Sequence, residues 1–173
     1  ELGLTGSHLG CEHGICGACS ARVDGAVVRG CLMLAVQADG AEVTTIEGLT
    51  DTGEIADLQQ NFVERNALQC GYCTPGMLMT VAELLREPKP MSRDEIRAYL
   101  SGNYCRCTGY HAIVDAVEAV TEAQDDLGGV DSFDYRARHR NSPADDCVRA
   151  LDGLDGLALA GADADVHLLV HTL

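Results

Sequence analysis

The chain has 173 residues, with 12 basic and 27 acidic side chains and a formal net charge of −15, which argues against sequence-independent nucleic-acid binding, a function that runs on clustered Lys and Arg. A composition 46% hydrophobic and 23% charged is that of a globular protein and excludes wholesale disorder, and no apolar run approaches the roughly 18 residues a membrane span needs. Nine cysteines, an odd number with no signal peptide ahead of them, favour metal ligation over a disulfide framework and make the cytoplasm the expected location.

Residues 1–50 are rich in Gly and Val. Ser20–Val23 and Ala26–Arg29 flank Asp24-Gly25, a strong hairpin signal. Residues 31–36 and 42–46 read as further extended segments, so the region is expected to be a small β-rich unit with long loops. The period then changes. Residues 54–67 carry Ile55, Leu58 and Phe62 at helical spacing. Residues 77–86 carry Met77, Val81, Leu84 and Leu85, with Thr74 as a cap and Pro75 as a first-turn proline. Ser92-Arg93-Asp94-Glu95 is a capping box opening a helix with Ile96, Tyr99 and Leu100. Residues 110–123 carry Ile113, Val114, Val117 and Val120. Four such helices with short connections read as a bundle. Beyond Gln124 the sequence turns linker-like. A short basic patch at Arg136, Arg138, His139 and Arg140 follows, then a helix over 144–151 and strands over 157–160 and 166–170.

The cysteines sort into two quartets and one remainder. Cys11, Cys16, Cys19 and Cys31 begin with the C-x4-C-x2-C spacing of plant-type 2Fe–2S ferredoxins. Gly14 and Gly17 let that loop take strained angles and aim N–H groups at sulfur. A zinc site or disulfides are the alternatives, although zinc favours paired C-x2-C knuckles. Cys70, Cys73, Cys105 and Cys107 form the second set, C-x2-C and C-x-C, each pair just ahead of a predicted helix. The positive ends of two helices would then meet one anionic site, with Arg106 adding a fixed charge. Cys147 falls outside both sets and reads as a plain helix residue. His13 lacks the His partner that a Rieske centre needs, and His111, His139, His167 and His171 show no ligand spacing. No Ser-His-Asp or paired-carboxylate constellation stands out, so catalysis proper is expected outside this chain.

Three ordered stretches, GCEHGICGAC at 10–19, QCGYCTPGMLM at 69–79 and GNYCRCTGY at 102–110, resemble the iron–sulfur subunit of molybdenum hydroxylases. That family includes xanthine dehydrogenase, aldehyde oxidoreductase and aerobic carbon monoxide dehydrogenase. The resemblance implies an α+β chain in two 2Fe–2S units. The first, 1–50, would be plant-ferredoxin-like with its start missing, and hence unstable as written. The second, 51–123, would be an all-α four-helix bundle. Cys11, Cys16, Cys19 and Cys31 would ligate one cluster, and Cys70, Cys73, Cys105 and Cys107 the other. Electrons would pass from a molybdopterin on a large partner subunit, through both clusters, to FAD on a third subunit or domain. By position, Gln69 and Cys107 would contact the pterin. His8 stands where the family commonly has Lys and reads as a bland surface residue. Residues 124–173, a linker and acidic tail, resemble the opening of an FAD-binding domain, with Phe133, Tyr135 and Gly161 carrying a loose match. The alternatives are a zinc-stabilised interaction module and a free-standing ferredoxin-like carrier.

Overall fold

Asp24 and Gly25 both sit at positive φ, 48° and 85°, which is what a two-residue hairpin turn demands of its central residues. They join β1 (Ser20–Val23) to β2 (Ala26–Arg29) with Ser20 opposite Arg29. A short β3 (Val43–Thr44) pairs antiparallel with β1 on its other side, giving the order β2-β1-β3. The structure, a computed structural model, describes residues 3–86 and 89–126. Cys147, the basic patch, the tail and its expected helix and strands lie outside the described residues.

Residues 31–36 depart from expectation. They are not extended but turn through 3₁₀ segments at Gly30–Leu32 and Ala35–Ala38. The Met33 N–H closes on the Gly30 carbonyl at 3.2 Å, which swings Cys31 off the end of the hairpin. Leu32, Leu34 and Val36 are left exposed, so their every-other spacing marks no buried sheet face. Residues 42–46 are only partly extended. Ile46 instead opens α1 (Ile46–Asp51), a helix the periodicity did not reveal. With only Ile46 and Leu49 buried, its apolar stripe is too short to register.

The remaining helices follow the apolar pattern closely. In α2 (Ala56–Glu64), Leu58 and Phe62 point into the core. The helix α3 (Thr74–Leu84) starts three residues earlier than the sequence pattern indicated. Thr74 is therefore not its cap; Cys73 occupies that position, and Pro75 lies in the first turn, where its missing N–H costs nothing. Its residues are buried almost all round, as a helix at the centre of a fold must be. The capping box at α4 (Arg93–Leu100) is formed. Ser92 Oγ accepts from the Glu95 N–H at 3.3 Å, and Glu95 Oε2 accepts from the Ser92 N–H at 2.8 Å. On α5 (His111–Asp126), Ile113, Val114 and Val117 face inward. Arg93 ties the start of α4 to Asp115, at 2.5 Å, and Glu118 of α5.

The described chain is thus mixed α/β, with five helices where the sequence suggested four. The apolar core belongs to the helices: Phe62, Met77, Leu78, Ile96 and Val114 are fully buried. Ahead of Ile46, the buried apolar side chains among the described residues are Ala18 and Cys19 alone. The sheet leans on α3 instead. Glu83 Oε1 accepts from the Val27 N–H at 2.7 Å, and Arg86 donates to the Gly25 carbonyl at 2.5 Å. Arg22 forks onto Glu54 at 2.9 and 2.5 Å, the bidentate geometry that gives an ion pair its direction.

Candidate metal centres

The first thiol set is built by a loop without regular structure. Gly14 and Gly17 both take positive φ, 76° and 78°, conformations that a side chain would penalise. That path turns successive amides inward. The N–H groups of Cys16, His13 and Ile15 point at Cys11 Sγ from 3.3, 3.4 and 3.4 Å. Gly14 N–H reaches Cys31 Sγ at 3.2 Å, and Cys31 N–H reaches Cys19 Sγ at 3.4 Å. Three N–H dipoles on one sulfur favour its thiolate, and they bring the Cys11 thiol down to about 6, the Cys16 amide contributing most. Burial pushes the Cys31 thiol up, with the neighbouring Cys19 thiol adding to it.

The second set forms between helices. Cys73 caps α3, and Cys105 and Cys107 sit in the turn that leads into α5. Cys70 Sγ and Cys107 Sγ are 3.4 Å apart. Cys105 Sγ meets the Thr108 hydroxyl at 3.1 Å and accepts from the Thr108 N–H at 3.5 Å. Those contacts outweigh its burial and lower the Cys105 thiol. Burial, reinforced by the adjacent Cys105 and Cys70 thiols, pushes Cys73 up to about 12. Tyr110, at φ 68°, turns back to accept from the Cys105 N–H at 2.9 Å while donating to the Asn103 carbonyl at 3.0 Å.

Within each set the thiols lie close enough to act on one another: Cys19 and Cys11 both raise Cys31, Cys105 and Cys70 both raise Cys73, and Cys70 and Cys107 are in direct contact. Among the described residues, no three His, Cys, Asp or Glu side chains close on a single ion. Four thiols, with backbone N–H groups aimed at sulfur, are a donor set that fits a binuclear iron–sulfur cluster. In the first loop a Cβ on Gly10 would stand 2.8 Å from Cys16 Sγ, so the backbone there closes tightly around the sulfurs.

The two sets differ in exposure. Cys70, Cys107, Gln69 and Arg106 are all exposed, while Cys73 and Cys105 are half-buried beneath them. His8, expected to be a bland surface residue, spans the two loops. Its ring stacks on Tyr72, with centroids 4.4 Å apart, and its Nδ1 lies 2.7 Å from the Tyr72 carbonyl. Tyr72 in turn donates its hydroxyl proton to the Leu9 carbonyl at 2.7 Å. The loops also meet directly, where the Tyr104 N–H donates to the Cys16 carbonyl at 2.8 Å. Sequence reasoning missed these bridges, together with the buried Asn103 beside them. Their partners lie dozens of residues away, and no local pattern marks them.

Residues 45–118 match the family model described as a [2Fe-2S] binding domain, a span that contains the second thiol set. The chain is 52% identical over 124 residues to caffeine dehydrogenase subunit gamma of Pseudomonas sp. (strain CBB1), covering 70% of this chain and 74% of that one. It is 45% identical over 119 residues to the xanthine dehydrogenase iron-sulfur-binding subunit of Escherichia coli O157:H7, covering 68% and 75%. Among solved structures, quinoline 2-oxidoreductase from Pseudomonas putida 86 matches with a TM-score of 0.65 and 50% identity, covering 74% of this chain and 80% of that one.

Proposed function

The chain belongs to the iron–sulfur subunits of the molybdenum hydroxylases, and from that premise we propose that Cys11, Cys16, Cys19 and Cys31 hold one 2Fe–2S cluster and Cys70, Cys73, Cys105 and Cys107 a second. The protein is the electron-transfer component of an oxidoreductase complex. It stands between a molybdopterin centre on a large partner subunit and FAD on another, and substrate oxidation takes place on the partner. Bound clusters supply a pair of one-electron carriers.

Two gatherings of four thiols, with backbone N–H groups aimed at their sulfurs, carry the reading. The rest of the chain's work is positioning and electrostatics. Backbone N–H groups at Cys11 and Cys31, and Thr108 at Cys105, offset negative charge on sulfur. The match to a [2Fe-2S] binding domain and to iron–sulfur subunits supports a cluster over the zinc module.

The exposed rim of Gln69, Cys70, Arg106 and Cys107 is the face we assign to the pterin-bearing partner, with Gln69 and Cys107 in contact with the pterin. We further read two units, a ferredoxin-like region and a helical one. We put the boundary of the two expected units, 1–50 and 51–123, at the start of α1, which a break at 50 would cut. Four-helix packing would then be completed by α2 to α5. Thiols in place of disulfides among the described residues suit a reducing compartment, the cytoplasm.

The test is spectroscopic. Cys70→Ser or Cys107→Ser should remove one of two distinct reduced-state paramagnetic signals and stop electron flow from substrate to flavin. An unchanged pair of signals would refute the assignment, and a colourless protein with two bound zinc ions would refute the cluster reading altogether.

A further inference from the structure

Between the two thiol loops lies one buried polar side chain that the electron-transfer reading leaves unused. Asn103 is 1% exposed. Its Nδ2 donates to the Gly76 carbonyl at 2.9 Å and reaches the Gly17 carbonyl at 3.5 Å. Its Oδ1 accepts from Arg29 at 3.2 Å and faces the Thr80 hydroxyl at 3.0 Å. That hydroxyl also stands 3.0 Å from the Gly76 carbonyl and shares its single proton between the two acceptors. The Asn103 N–H donates to Leu100, and its carbonyl accepts from Tyr110. One residue therefore touches the first thiol loop, β2 and α3 through its side chain, and the end of α4 and the turn of the second thiol set through its backbone.

The packing around it leaves little slack. A Cβ on Gly76 would overlap the Gly17 carbonyl oxygen, and one on Gly17 would come within 2.6 Å of Asn103 Nδ2. Immediately beyond Asn103, the Tyr104 N–H holds the Cys16 carbonyl. Cys16 and Cys105 are thus separated by one hydrogen bond and one residue, and the amide of Asn103 braces both sides of that junction.

Resting on the two-cluster reading, we propose that Asn103 is a positioning residue that sets the separation and electronic coupling of the two clusters. It ligates neither. A buried amide with every donor and acceptor engaged is costly to disturb, because each removed partner strands another polar group. An Asp at this position would set a carboxylate oxygen against the Gly17 and Gly76 carbonyls and push the loops apart. An Ala would leave the same carbonyls, Arg29 and Thr80 without their common partner.

The experiment compares the assembled complex carrying the wild-type chain with complexes carrying Asn103→Asp and Asn103→Ala. Iron and labile sulfide are counted, and the fully reduced protein is examined at low temperature for the magnetic splitting between the two clusters, which falls with the cube of their separation. The expected result is a full iron complement, loss of the splitting and slower transfer between clusters. A full complement with splitting and rate unchanged overturns the proposal. Should both variants lose iron, Thr80→Val, which removes one bond to the amide, decides: weaker splitting at full iron supports the proposal, and unchanged splitting overturns it. If the wild-type chain itself binds no iron, the two-cluster reading fails, a result distinct from either outcome of the variants.

Discussion

The hairpin region and the helical region each present four thiols, yet they are held together by different forces. The helices bury a continuous apolar core around Phe62, Met77 and Ile96. The hairpin region buries Ala18 and Cys19 and otherwise rests on polar links to α3 and Glu54. The first thiol loop is shaped by backbone amides, and the second by the starts of two helices. A thiol site can therefore be preorganised either by conformation or by packing, and here the first kind borrows its rigidity from the second.

That dependence can be broken from the core outward. Phe62→Ala should cost about 3–5 kcal/mol, measured by denaturant unfolding, and should remove hydrogen-exchange protection from the hairpin together with the helices. A hairpin that keeps its protection would show that it stands alone. Gly76→Ala drives a methyl into the Gly17 carbonyl and should cost about 1–3 kcal/mol, as overpacking does. Its spectral signature should reach both clusters, since Gly76 also holds Asn103 and stands three residues from Cys73. Arg22→Leu removes the fork onto Glu54, at 2.9 and 2.5 Å, and should cost about 2 kcal/mol, read as a lower midpoint with an unchanged slope. The smallest effect concerns acid. Burial pushes Glu47 up, but the Thr45 hydroxyl and the Gly6 N–H outweigh it and hold its carboxyl below the ordinary value. Its contribution is present above the ordinary carboxylate range and is lost as pH falls through the lowered value. After solvent screening it should be under about 1 kcal/mol. Glu47→Gln should flatten the acid limb of the stability curve and leave the neutral plateau nearly in place.

What the sequence disclosed was whatever short spacing can encode. Asp24-Gly25 required the hairpin, Ser92 and Glu95 the cap of α4, and the thiol spacings the two sets. The period of Leu58 and Phe62 located α2. What it hid depends on contact at a distance. Cys31 turns away because its sulfur meets Gly14, so β-prone neighbours become a 3₁₀ turn. The helix α1 is stable because Ile46 and Leu49 find α3, not because six residues make a helix unaided. His8 looked inert until Tyr72, 64 residues away, supplied its partner. Asn103 is legible only when Gly17, Arg29, Gly76 and Thr80 have been assembled around it.

The helix α3 serves both regions at once. Gly76 and Thr80 near its start hold Asn103, which reaches the thiol loop at Gly17, while Glu83 in its last turn and Arg86 just past its end hold the hairpin. Its eleven residues make a ruler about 16 Å long, and each added residue would turn one end against the other by about 100°. An insertion inside it would keep the helix and the apolar composition yet aim Glu83 and Arg86 away from the strands. Length variation in this fold is therefore barred from α3, and the exposed connections around it are where such changes can be accommodated.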